Sequence, residues 1–88
     1  MSSRQAKPPN KPQANGFETR DFYLACFLRC TGYDLIDLRN EGRRKVFVFR
    51  DRPTRREHVF AFFGDGASVS PLKYSTTIKD MKALLYNA

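Results

Sequence analysis

The chain is short of nearly every residue type that catalysis and metal binding draw on. Its 88 residues include one histidine, His58, two cysteines, Cys26 and Cys30, and no tryptophan. A structural zinc site takes four Cys or His ligands in paired spacing, and this set falls short of it. The two thiols stand four residues apart in a segment of helical pattern, where a disulfide closes only with strain. Free, buried thiols in a reducing compartment are the expectation, and Cys26 has no identifiable activating base. Acidic residues are also scarce, nine against sixteen lysines and arginines. Asp34 and Asp37 fall on opposite faces of an extended stretch and make no ready carboxylate pair. Gly64-Asp65-Gly66 is too short to cradle a phosphate. No apolar run is long enough to span a membrane, and the first residues lack the apolar core of a secretory leader. The reading is a cytoplasmic, non-enzymatic protein without cofactor, metal or membrane.

What the chain does have is concentrated charge. The window Arg39–Arg56 holds Arg39, Arg43, Arg44, Lys45, Arg50, Arg52, Arg55 and Arg56, opposed only by Glu41 and Asp51. The formal charge of the whole protein is +7, yet outside this window residues 16–88 are net negative. Segregation of this kind is the footprint of a surface for polyanions. The bland alternative is a solvated basic loop.

Residues Met1–Asn15 carry three of the five prolines and no aromatic or β-branched residue, so a disordered, basic tail is expected there. A single domain over residues 16–88 follows. It is small, and eight Phe and four Tyr supply large buried areas to its core. Phe17-Glu18-Thr19 is a short extended segment. Thr19 then suits an N-cap for a helix over Arg20–Thr31, which ends at Gly32 as a left-handed C-cap. Its apolar stripe is wide, with Tyr23 and Arg29 looking outward.

Tyr33–Arg39 and Arg44–Arg50 form a hairpin about Asn40-Glu41-Gly42-Arg43. With Glu41 and Gly42 as loop residues, Ile36 lies opposite Phe47 and Leu35 opposite Val48. One face then carries Ile36, Leu38, Phe47 and Phe49, and the other Tyr33, Leu35, Val46 and Val48. A second helix is predicted over Pro53–Phe63, started near Asp51 or Arg52, with Val59, Phe60 and Phe63 as its stripe and His58 facing solvent. The competing reading is a strand over His58–Phe63. Ala67–Ser70 reads as a short edge strand, and Thr76–Tyr86 as a final helix with Ile78, Met81, Leu84 and Leu85 inward. The fold class is α+β, a small antiparallel sheet with a central β-hairpin packed against two or three helices.

The run from Phe17 to Ala25, then Gly32, Phe47-Val48-Phe49, Pro71 with Tyr74 and the Lys- and Leu-rich last helix together resemble a family of small uncharacterised bacterial and phage proteins, classed as a domain of unknown function. The resemblance spans about Phe17–Tyr86. It implies a fold and a mobile-element setting, and it brings no activity and no site residues.

Lys45–Phe49 is loosely similar to the aromatic strand of an RNA-recognition sheet but lacks its glycines, and Phe47 and Phe49 are expected in the core. The candidate nucleic-acid-binding residues are Arg43, Arg44, Lys45, Arg50, Arg52, Arg55 and Arg56, with phosphates of DNA or RNA as their partner. The alternative is a protein-interaction module, either a homodimeric adaptor joined through the second sheet face or through an edge strand at Ser68-Val69-Ser70, or a binder of an acidic protein.

Overall fold

The computed structural model describes residues 16–87; the tail expected at Met1–Asn15 lies outside them. The elements run β1 (Gly16–Thr19), α1 (Phe22–Cys30), β2 (Leu35–Glu41), β3 (Arg44–Arg50), α2 (Arg55–Phe63) and α3 (Pro71–Asn87). The three strands make one antiparallel sheet in the order β1-β3-β2. This is the α+β architecture read from the sequence.

β3 is the centre of the sheet because four successive residues, Val46, Phe47, Val48 and Phe49, are all buried. A strand buried on both faces reads as a continuous apolar run, which this one does. Phe47 and Phe49 face the helices, where they join Leu24, Ala25, Cys26, Phe27, Leu28, Tyr33 and Met81 in the core.

The hairpin register differs from the expected one by two residues. Glu41 pairs with Arg44, which leaves Gly42 and Arg43 in the loop, and Leu38 therefore lies opposite Phe47. Gly42 takes φ +64°, as a two-residue hairpin loop with glycine first requires. A bulge follows: Leu35 pairs with Phe49 while Asp37 pairs with Val48, so Ile36 is the extra residue. The bulge turns Leu35 to the face of Phe49, and Tyr33 enters the same core. Both had been expected on the opposite face.

α1 starts two residues later than the sequence suggests. Asp21, not Thr19, is its N-cap, with a carboxylate that accepts from the backbone N–H of Tyr23 and of Leu24, both at 3.0 Å. Thr19 instead accepts from the Asp21 N–H at 3.1 Å. Six of the nine residues of α1 are buried, whereas Tyr23 and Arg29 are exposed as expected. The helix stops at Thr31, and Gly32 reverses the chain at φ +103°.

α2 is a helix, not a strand, but its apolar face is rotated from the expected one. Val59 and Phe62 pack on the core, while Phe60 and Phe63 are exposed. Its N-cap is Thr54 rather than Asp51 or Arg52. Residues 67–70 form no strand; Gly66 and Ala67 both donate to the Ala61 carbonyl, and Val69 packs on the core. α3 then begins at Pro71, five residues earlier than expected. Ser70 is its cap, accepting from the Lys73 N–H at 3.3 Å through its side chain, and proline suits the first helical position. α3 lies on α1, with Met81 buried, Ile78 and Leu85 half-buried, and the Tyr74 hydroxyl donating to the Tyr23 carbonyl at 3.1 Å.

Candidate functional site

The seven basic residues singled out by sequence do not form one patch. β3 separates them: Arg43, Arg44 and Lys45 gather at the hairpin tip, while Arg50, Arg52, Arg55 and Arg56 lie at its far end. Six residues of extended chain put about 20 Å between the two groups.

The far group is largely occupied with holding the fold. Arg52 places its guanidinium 4.3 Å from the Tyr33 ring centroid and donates to the Gly32 carbonyl. Arg55 lies 4.5 Å over the Phe17 ring and pairs with Asp51 at 3.1 Å. That guanidinium holds the Asp51 carboxyl below the usual carboxylate value. Arg50 faces Asp34 at 3.7 Å, a looser and exposed pair. Arg56 sits 5.4 Å from the exposed Phe60 ring. Cations in the first turn oppose the dipole of α2, and the pairing of Arg55 with Asp51 offsets part of that conflict.

The tip differs. Its acidic residue, Glu41, is already engaged by Arg20, which β1 delivers to the same end of the sheet. Arg43 and Arg44 are exposed and make no ion pair among the described residues, and Lys45 is half-buried beside them. Arg20, Arg44 and Lys45 border a shallow cleft of about 270 Å³ floored by Phe22, Phe47 and Leu85. A cationic rim over an apolar floor can hold phosphates while leaving room for something less polar beneath. Arg20 was not among the residues selected from sequence, since only the pairing of β1 with β3 brings it to the tip.

Two groups of chemical interest lie away from both ends. His58 is not solvent-facing: it is half-buried, with Nδ1 2.7 Å from the hydroxyl of the fully buried Tyr33. Cys26 is fully buried, and burial pushes its thiol up to about 11. Neither cysteine is in a disulfide. Among the described residues no cluster of three or more His, Cys, Asp or Glu is placed to hold a metal, and no helix is long and apolar enough to cross a membrane.

Both surfaces suggested for a protein partner are corrected. Ser68–Ser70 is not a strand and offers no edge. On the second sheet face Val46 and Val48 are buried, so no open apolar face remains at those positions.

No characterised protein and no solved structure matches the chain. Residues 14–87, almost all of it, match the family model described as a domain of unknown function, DUF5659, and the chain belongs to that family.

Proposed function

We propose that this domain binds nucleic acid without catalysing a reaction, contacting phosphates through the tip of its β2–β3 hairpin. The observation that carries this reading is the contrast between the two ends of β3. Arg52 and Arg55 are bound into the fold, whereas Arg43 in the turn and Arg44 at the start of β3 are exposed and make no ion pair among the described residues. A cation that is free in the isolated protein brings its full charge to a partner. Phosphate contacts of this kind position a backbone without reading its sequence. A buried Cys26 thiol held far from its reactive form and a His58 engaged by Tyr33 fit a binding role better than a catalytic one.

Fluorescence anisotropy of labelled duplex and single-stranded oligonucleotides at two salt concentrations tests the proposal. Micromolar or tighter binding that weakens steeply with salt is expected. Substituting Arg43, Arg44 and Lys45 together with Ala should remove most of the affinity and flatten the log–log salt slope by about 3. Unaltered affinity in that variant would exclude the hairpin tip, and no binding by the unmodified protein at low salt would overturn the function.

A further inference from the structure

Two aromatic rings on α2 have no place in the core. Phe60 and Phe63 are 63% and 64% exposed, although a domain this small has few large apolar groups to spare. They stand three residues apart on one face of the helix, and Arg56 is four residues before Phe60 on the same face. The rings are also held in place. Phe63 rests edge-on against Phe62 with centroids 5.0 Å apart, and Phe62 packs against the buried Phe27 at 5.4 Å. The Arg56 guanidinium lies 5.4 Å from the centroid of Phe60. The face is thus a short, pre-arranged row of π surfaces: guanidinium, ring, ring.

We propose that this face of α2 is a stacking platform for the unpaired bases of a single-stranded nucleic acid, an assignment that rests on the nucleic-acid reading above and gives it a substrate class. Charge selects the occupant. Arg56 stands beside the Phe60 ring, Asp51 is already taken by Arg55, and the first turn of α2 has no side-chain cap over its amide groups. An apolar protein surface docking here would strip water from Arg56 and Glu57 without replacing it. A base covers a ring with its own π face and leaves its phosphate to the Arg56 guanidinium. Bases in a duplex are already stacked on one another, so only an unpaired strand can use the rings. α2 follows the end of β3 opposite the hairpin tip, and β3 itself is about 20 Å long. A single strand of several nucleotides can bridge that distance.

The test is anisotropy with a labelled oligothymidylate of about 15 nucleotides and a duplex of matched length. The variants are the double substitutions Phe60→Ala with Phe63→Ala, and Phe60→Leu with Phe63→Leu. Both pairs change exposed side chains, and circular dichroism with a thermal melt confirms that each still folds. The alanine pair should weaken single-strand binding by tenfold or more, leave duplex binding within twofold, and keep the salt slope unchanged because no phosphate contact is lost. The leucine pair should behave like the alanine pair, since it restores apolar area but not a π face. Single-strand affinity that survives both pairs, or that the leucine pair restores, overturns the platform while leaving the hairpin reading intact. Duplex binding by the unmodified protein with no single-strand binding does the same. Absence of binding to either oligonucleotide overturns both readings together. Concentration-dependent self-association abolished by the same substitutions, with oligonucleotide binding unchanged, would assign the face to a second copy of this chain and overturn the platform.

Discussion

Arg39 and Glu18 join the two outer strands over the top of the central one. The guanidinium donates to both carboxylate oxygens, each at 3.0 Å, although β1 and β2 share no hydrogen-bonded ladder. Register places Glu18 opposite Val48 and Arg39 opposite Val46, so the pair crosses β3 on the face of those two valines. Hydrogen bonding by Arg39 holds the Glu18 carboxyl below its ordinary value.

A folded-state value below the unfolded one means stability that is present at neutral pH and lost on acidification. The contribution is full above the unfolded Glu value of about 4.3 and disappears as pH falls through the lower folded value. Glu18→Gln should therefore lower the thermal midpoint at pH 7 by roughly 2–4 °C, and the difference from the unmodified protein should shrink as pH falls below the unfolded Glu value. A constant difference across that range would show that the loss is steric rather than ionic.

Tyr33 and His58 form the polar link between the core and α2, at 2.7 Å. Tyr33→Phe preserves the ring under Arg52 but leaves the His58 Nδ1 without its partner. The expected cost is about 1 kcal/mol, read as a lower urea midpoint with an unchanged denaturant slope.

The two ends of β3 should separate in a stability assay. Arg43→Ala and Arg44→Ala should leave the urea midpoint nearly unchanged, because neither side chain is engaged among the described residues. Arg55→Ala removes an ion pair and a contact with the Phe17 ring, and should cost roughly 1 kcal/mol. Equal effects at both ends would contradict the division of labour between them.

Cys26 should resist alkylation in the native state. With its thiol pushed up to about 11 and the side chain fully buried, its labelling by iodoacetamide at pH 8 should be slowed about a hundredfold or more relative to the urea-unfolded chain. Mass spectrometry of the modified peptide reads this directly, and rapid native labelling would show that α1 opens readily.

The sequence was most legible where a residue type had a single structural use. Gly32 and Gly42 marked their turns, the run Val46–Phe49 announced a strand, and the wide stripe of α1 announced a covered helix. Phase was harder to read than presence. In α2 the set Val59, Phe60, Phe63 and the set Val59, Phe62 are both compatible with helical spacing, and only packing against Phe27 selects the second. The hairpin faces depended on which residues occupy the turn and on a bulge at Ile36, and neither leaves a strong local mark. The start of α3 was legible and overlooked: Ser70-Pro71 is a cap followed by a residue pre-set for the first turn. Of the candidate site, the charges were visible in sequence. Their division between two ends of a strand, and the addition of Arg20 to one of them, are consequences of pairing between residues some thirty positions apart.

That long-range pairing governs how the molecule comes apart. β2 and β3 are joined by two residues and can zip locally, whereas β1 must close a loop of about thirty residues to reach β3. β1 is also short, four residues on one edge of the sheet. Within the sheet, its separation from β3 breaks a shorter ladder than that of β2 from β3, and it would release Arg20 and Glu18 from their partners in one step. In hydrogen exchange the amides of Gly16–Thr19 should accordingly exchange ahead of those of β3 that bond to β2, which makes β1 the seam along which this domain first opens.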